Sequence, residues 1–576
     1  MQEKVAALRA CFDNYNIDGY YLPRVDEFNN EYMPPYAERL AWLTGFTGSA
    51  GSAIVLRDKA AVFVDGRYIL QAPEQVDTNL FEVVLVSKQR PEQWPDKGLR
   101  LGYDPMLVNE ASLKRFGDQD MHPIPGNLID PLWQDQPPAP SGKVFVHSDE
   151  YAGLPSQDKI RNLCKTLRQQ NIDAVVLSRL DSICWLLNIR GDEVPFIPVP
   201  LCRAIAFADG TVDLYIDQQK IAGVSLGSNV QVKAPDAIGE GLDGKRVLID
   251  QTACPVGILH KLDKASEIIR GSDPCILPKA LKNATEIEGM RQAHIRDGAA
   301  LTEFLAWLDT GIKSGEKITE LDTVEKLQAC RQVQNLYAGD SFPAITGTGP
   351  NGAIIHYKAS PETNRTIQQK DIFLVDSGGQ YHDGTTDVTR TVCFSEPSAE
   401  QKDRYTRVLK GHIAVARARF PAGTCGGQLD ASARSALWEI GADYAHGTGH
   451  GVGAFLFVHE GPQRISGMQR GDVPLQVGMT LSNEPGYYKD GEYGIRTESV
   501  VVVASSSVSG EEGREMLEFE TLTMAPICTD LIDTQLLTEA EIDWLNAYHE
   551  KVYASLKDRL QPSTAAWLRE ATQPLS

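Results

Sequence analysis

Two pairs of carboxylates and one histidine carry the most pointed chemistry in this 576-residue sequence. In DIFLVDSGGQYHDGTTDVTRTVCF an apolar run enters Asp376, Asp383-Gly384 signals a turn, and an alternating strand leaves through Asp387, Thr389 and Thr391. Asp376 and Asp387 lie almost symmetrically about that turn, so they are expected as cross-strand neighbours, direct or one register step off. MTLSNEPGYYKDGEYGIRTESVVVV repeats the arrangement, with Glu484 before Asp490-Gly491 and Glu498 after it. Carboxylates placed this close repel each other unless a proton or a cation lies between them.

The histidine comes from HGTGHGVGAFLFVHEGP, residues 446 to 462. His446 and His450 have the i, i+4 spacing of a helical metal pair, but each of the alternating glycines would cost a helix about 1 kcal/mol. An extended segment is expected instead, with His446, Thr448 and His450 on one face and the glycines admitting close neighbours. Asp376, Asp387, His450, Glu484 and Glu498 then form a five-residue ligand set. Four hard oxygen donors and one imidazole suit Mn²⁺, Co²⁺, Fe²⁺ or Zn²⁺, and four negative charges suit two ions better than one. His356, His446 and His459 flank this set in the sequence and are candidates for substrate contact.

These residues need elements to hold them. Thr285-x-x-Glu288 reads as a capping box opening an amphipathic helix over 285–310, and a second helix is expected over 399–418. β-rich segments follow from 341 onward, and Thr538-x-x-Glu541 caps a final helix with Ile542, Leu545, Tyr548 and Val552 on one stripe. Upstream lies an internal repeat. Asn16-Ile17-Asp18 with Leu22, Arg24 and Asp26 matches Asn171-Ile172-Asp173 with Leu177, Arg179 and Asp181, and AIVLRDKAAVFVD matches AIAFADGTVDLYID. Each copy reads as helix, strand, helix, hairpin and a later strand, and neither gathers ligand-type residues, so scaffold, dimer or gating roles are expected. Pro-rich QDQPPAPSGKVF separates them. The expected domains are 1–140, 141–278 and 279–576, a multidomain chain of α/β and α+β parts.

Composition narrows the function class. A formal charge of -21, without clustered Lys or Arg, argues against nucleic acid. No stretch approaches the roughly 18 apolar residues of a membrane span, and the first residues have no apolar signal core. Ten scattered cysteines without C-x-x-C pairs read as reduced thiols. A cytoplasmic protein without membrane or nucleic-acid partners is the expectation.

The sequence resembles the pita-bread metallopeptidases, family M24, and within them the three-domain cytosolic Xaa-Pro aminopeptidases. WLTGFTGSAGSA, GDEVPFIPVP, GTGPNGAIIHY, VDSGGQY, GTTDVTRT, HGTGHGVG, VHEGP, SNEPGYY, GIRTES and LEFETLT carry the likeness across nearly the whole chain. The resemblance implies two tandem creatinase-type domains, then a pita-bread catalytic domain with a C-terminal helical extension, and a homodimer. It implies two divalent ions, usually manganese with zinc or cobalt as alternatives. Asp376 and Asp387 would hold one, His450 and Glu484 the other, with Asp387 and Glu498 bridging both. Hydroxide held between the ions would attack the carbonyl preceding a penultimate proline of a peptide substrate, while Glu484 moves the proton and His459 hydrogen-bonds the oxyanion. His356, His446 and His459 match the family's substrate-site histidines; Phe457 stands where asparagine is common. The rivals are a prolidase, limited to Xaa-Pro dipeptides, and a metal-free pita-bread binding module.

Overall fold

The structure is a computed structural model that describes residues 1–468 and 472–576. It divides into two compact units, one of Met1–Asp149 with Leu154–Ile276, the other of Glu150–Gly153 with Leu277–Ser576.

The first unit contains the repeat twice, as two six-stranded sheets of the same topology. In the first copy the central strand Gly19–Pro23 pairs antiparallel with Ser52–Leu56 and parallel with Arg100–Tyr103. In the second, Ala174–Leu177 pairs antiparallel with Arg203–Phe207 and parallel with Arg246–Asp250. Two edge strands per copy, Glu82–Leu85 with Asp120–Pro123 and Val230–Lys233 with Glu267–Gly271, add to the strands expected from sequence.

The shared Asn-Ile-Asp motif has a mechanical meaning. Asn16 and Asn171 adopt left-handed backbone, φ 50° and 53°, and turn the chain out of the preceding helical segment, a conformation asparagine tolerates better than most residues. Ile17 and Ile172 are buried. Asp18 and Asp173 then accept the backbone N–H of Arg100 (2.9 Å) and Arg246 (2.8 Å), fixing where the parallel strand begins. One tripeptide therefore ends a helix, anchors the core and sets a strand register in both copies.

The second unit is built on the 31-residue helix Ala284–Ser314. Its cap differs from the sequence expectation. Asn283 is the N-cap and accepts from the N–H groups of Thr285 and Glu286, while Glu286 closes the box. Asparagine is at least as good an N-cap as threonine, and starting there adds two residues to the first turn. Glu288 is left outward, paired with Arg291 at 3.2 Å. The other expected helices are Ala399–Ala416, capped by Ser398, and Glu539–Leu556, capped by Thr538 with Glu541. Against them lie a three-stranded sheet, Ile345–Thr348, Ile372–Ser377 and Val388–Cys393, and a six-stranded sheet that includes Gly449–Gly451, Thr480–Asn483 and Ser499–Ser505.

The long helix reaches the carboxylate region through a buried ion pair. Asp297 accepts from Arg331 Nε at 2.8 Å and Nη2 at 3.1 Å, and from the Tyr381 hydroxyl at 3.0 Å. Arg331 also donates to Ser377 Oγ at 3.0 Å, beside Asp376. Removing one member of a buried pair leaves a desolvated charge behind. Asp297→Ala is therefore expected to cost about 3–5 kcal/mol of stability, read as the shift of the urea transition of the intact chain; a loss below about 1 kcal/mol would show that Arg331 finds solvent or another acceptor.

Candidate metal centre

Both carboxylate hairpins form, and both are interrupted at the point where they present their acids. Ile372–Ser377 pairs with Val388–Cys393 so that Asp376 faces Thr389. The same register continues into Gly379–Tyr381 and Gly384–Thr385, which belong to a different sheet, with Tyr381 opposite Gly384. His382 and Asp383 thus make the turn, one residue earlier than Asp383-Gly384 suggests. Asp387 lies two residues before Thr389, just ahead of the outgoing strand. It is therefore diagonal to Asp376, a two-residue offset that keeps both on one face.

The second hairpin behaves alike. Thr480–Asn483 pairs with Ser499–Ser505, and Gly486–Lys489 with Tyr493–Arg496, in one continuous register shared between two sheets. Glu484 and Glu498 occupy opposed positions at the break, as their symmetry about Gly491 predicts. Gly491 has φ +70°, the conformation that this tip requires. At the break, Glu484 N–H donates to Thr448 O (2.7 Å) and Glu498 N–H to Thr389 O (3.1 Å). Each acid is thereby tied to another element of the site.

His450 arrives on the short strand Gly449–Gly451. A Cβ on Gly449 would fall 2.0 Å from the Ser482 carbonyl oxygen, so glycine is what allows this strand to lie against its neighbour. The strand is shorter than the alternation expected over 446–450: residues 445 and 446 form a bend. Thr448 precedes the strand and is fully buried, its hydroxyl donating to Asp430 Oδ1 at 2.6 Å, whereas His446 and His450 are half-buried. His450 Nδ1 faces Gly451 O at 2.9 Å and acts as the donor, which leaves Nε2 facing the acids, 3.4 Å from Asp387 Oδ2 and 3.5 Å from Glu484 Oε1. Ligand atoms of Asp387, His450 and Glu498 lie within 4.8 Å of one another.

The electrostatics are those of a cation site. Burial, followed by the charge of Asp387 and opposed by Arg496, raises Asp376; burial lifts Glu484 to about 7 despite His450; burial and then Asp387 hold Glu498 well above the usual carboxylate range. Burial would lower His450, but the hydrogen bond to Asp387 and the charge of Glu484 outweigh it and bring it to about 9. Asp376 Oδ1 is buried and accepts no hydrogen bond from the described residues. Four acids, one imidazole whose Nε2 faces them and would give up its proton to a cation, and an orphaned carboxylate oxygen fit a pair of divalent ions.

Sequence inspection missed the residues that hold this arrangement. Arg496 donates to Asp376 Oδ2 at 2.6 Å, to Thr389 Oγ1 at 3.1 Å and to the Tyr488 hydroxyl at 2.7 Å; Thr389 passes its own proton to Glu498 Oε2 at 2.7 Å. Tyr488 also meets His446 Nε2 at 2.8 Å. His446 is held from behind by Arg434, which donates to its carbonyl at 2.7 Å. His459 places its ring 4.4 Å from that of His450, edge to face. His356 follows the turn Gly349–Ala353, which packs on Tyr493–Arg496 so closely that a Cβ on Gly494 would meet the Gly352 oxygen at 1.7 Å. His450 thus faces Asp387 and Glu484 and meets His459 edge to face, His446 is linked to the site through Tyr488 and Arg496, and His356 follows the turn Gly349–Ala353.

Comparison with known proteins gives consistent matches. Residues 288–505 match the model of metallopeptidase family M24 and 515–575 its C-terminal region; 4–115 and 135–286 each match a creatinase/prolidase N-terminal domain. Aminopeptidase P2 of Arabidopsis thaliana is 38% identical, the alignment covering 100% of this chain and 89% of that protein. A probable Xaa-Pro aminopeptidase P of Laccaria bicolor is 40% identical over 100% and 93%. Among solved structures, the X-prolyl aminopeptidase of Caenorhabditis elegans, described as a cytosolic enzyme with a di-nuclear active site, superposes with a TM-score of 0.94 at 34% identity, covering 100% of both chains. A prolidase from Pyrococcus horikoshii shares the fold at TM-score 0.52 and 22% identity, over 64% of this chain and 99% of its own.

The burial of Glu484, with the charge of Asp387 beside it, makes a pH prediction for protein stripped by chelation. Below the ordinary value of 4.5, Glu484 is neutral both folded and unfolded; between 4.5 and about 7 the unfolded chain releases this proton while the folded site retains it. The folded state therefore loses stability as pH rises through that window. Thermal melts of stripped protein are expected to show this loss relative to Glu484→Gln, and added Mn²⁺ to abolish it. Superimposable profiles for the two proteins would show that Glu484 is not held protonated in the folded site.

Proposed function

The chain belongs to metallopeptidase family M24, among its Xaa-Pro aminopeptidases, and from that premise we propose how its own residues perform the hydrolysis. The enzyme removes the first residue of peptides whose second residue is proline and depends on two divalent ions. The observation that carries the reading is the convergence of two interrupted carboxylate hairpins on His450 in a chain related along its whole length to such enzymes. Full-length relationship to aminopeptidases favours this function over a dipeptide-only prolidase, and a filled ligand set over a metal-free module.

Asp376, Asp387, His450, Glu484 and Glu498 would hold the ions, and the oxygen-rich donor set favours manganese, with zinc or cobalt as alternatives. When bound, the ions supply Lewis acidity that polarises the scissile carbonyl and makes a water nucleophilic at neutral pH. The remaining work belongs to side chains. Glu484 accepts the proton of the attacking water and delivers it to the proline nitrogen, which has no hydrogen of its own and must gain one to leave as an amine. His459 donates a hydrogen bond to the carbonyl oxygen as charge develops there. His356 and His446 line the space for the pyrrolidine ring, with Tyr488 orienting His446. Arg496 is a positioning residue: it holds Asp376 directly and Glu498 through Thr389.

We extend the reading to three domains at 1–140, 141–278 and 279–576, a cytoplasmic location and a homodimer. Ten free cysteines and the cytosolic description of the C. elegans enzyme support the location. The dimer rests on the family likeness; sedimentation at micromolar concentration giving only a 63.3 kDa species would remove it.

With Mn²⁺ supplied, Xaa-Pro-Yaa peptides are expected to be cleaved well above Xaa-Pro dipeptides and Xaa-Ala peptides. His459→Ala and His446→Ala should each lower kcat about 10²-fold while metal content, read by elemental analysis, persists; His450→Ala should lose both activity and metal. Preferential cleavage of the dipeptide would instead make the enzyme a prolidase, and loss of metal in His459→Ala would move that residue into the ligand set.

A further inference from the structure

Away from the metal centre, the second unit contains a pair of cysteines with no part in the chemistry above. Cys393 ends the strand Val388–Cys393, and Cys528 lies in the connector between the strand Met516–Thr521 and the last helices. Their thiols meet as hydrogen-bonding partners. Both line a cavity of about 190 Å³ together with Lys313, Asp309, Asp530 and Trp567. Cys393 is buried, whereas Cys528 is half-buried. Trp567 Nε1 donates to Asp309 Oδ2 at 3.0 Å, so the C-terminal helix Pro562–Ala571 forms one wall.

The two sulfurs are chemically unequal. Cys528 sulfur accepts a hydrogen bond from the Cys393 thiol, and although burial opposes it, the backbone N–H groups of Cys393 and Leu531 also donate to this sulfur, so its thiol is lowered. Cys393 is raised, chiefly by that same shared hydrogen bond and then by burial. A thiolate is the nucleophilic form, and a neighbouring thiol is what resolves its first oxidation product.

We propose that Cys528 and Cys393 form a peroxide-oxidisable dithiol, with Cys528 the attacking and Cys393 the resolving sulfur. Cys528 sulfur, as thiolate, attacks one oxygen of hydrogen peroxide; an S–O bond forms, the O–O bond breaks, and the leaving hydroxide takes up the proton that the Cys528 thiol released and departs as water. Cys393 sulfur then attacks Cys528 sulfur, an S–S bond replaces the S–O bond, and the departing hydroxide takes the Cys393 proton as water. The two thiols lose two electrons and two protons, and peroxide becomes two waters. The acidic side chains at the cavity, Asp309, Asp530 and Glu570 against Lys313, favour a small neutral oxidant over an anionic one. The product would tie the outgoing ligand strand to the connector leading to the C-terminal helices.

The test treats the reduced full chain with hydrogen peroxide and maps its peptides. A Cys393–Cys528 disulfide that dithiothreitol reverses is expected to form first. Cys393→Ser should leave a sulfenic acid at Cys528 that dimedone traps, and Cys528→Ser should leave Cys393 unreacted at the same dose. Oxidised glutathione should act about tenfold more slowly than peroxide. The proposal is overturned if Cys11, Cys330 or Cys425, the other half-exposed thiols, react before Cys528, or if Cys528 oxidises without linking to Cys393.

Discussion

The mutual repulsion of four buried carboxylates around one imidazole is the constraint on which the second unit depends. Asp376, Glu484 and Glu498 are each pushed toward the protonated state by burial, with Asp387's charge adding to each, and among the described contacts Arg496 is the only arginine bonded to one of their carboxylates. No chain would hold these acids together for stability alone, since unpaired charge in a low-dielectric interior is among the costliest arrangements in a protein. The backbone must therefore impose their positions, and the cation must compensate.

It does so by breaking two hairpins at corresponding places. A hairpin that ran unbroken would leave these acids as ordinary strand residues alternating with their neighbours. Letting each hairpin pass from one sheet into another, without losing register, frees Asp387, Glu484 and Glu498 from strand pairing at the crossing point. The orphaned N–H groups of the two glutamates are satisfied by Thr448 and Thr389, so the interruption leaves neither donor unpaired. Arg496 joins the two hairpins: it rises from the second and grips Asp376 and Thr389 on the first. Behind it, Asp297 and Arg331 tie the long helix to Ser377, beside the first of these acids. Rigidity of this kind is what a metal site needs if its ligands are to be in place before the ion arrives.

The first unit uses the opposite economy. It has no ligand cluster and instead repeats one wiring scheme, in which a left-handed asparagine, a buried isoleucine and an aspartate on a strand N–H fix the same topology twice. Such reuse keeps the local instructions consistent with the fold, and consistent instructions are what make a sequence fold to one structure.

The sequence alone determined which residues bear the chemistry, because a ligand must be an acid or a histidine and because hairpin symmetry depends only on counting along the chain. The opposition of Glu484 and Glu498 follows from their distance to Gly491, and the N-terminal duplication is written in Asn-Ile-Asp. Several things could not be read this way. The helix start moved to Asn283 because its side chain accepts from the N–H groups of Thr285 and Glu286 and Glu286 bonds back to it, a box that sequence spacing cannot separate from the one at Thr285. The strand begins only at Gly449, because bends at 445–446 and 448 end the alternation that pattern reading assumes. Arg496, Thr389 and Tyr488 were invisible as a network because their partners lie up to 120 residues away in the chain. Whether four acids repel or cooperate depends on distances of a few ångströms between separate hairpins, and only the folded chain, by deciding which backbone lies beside which, sets those distances.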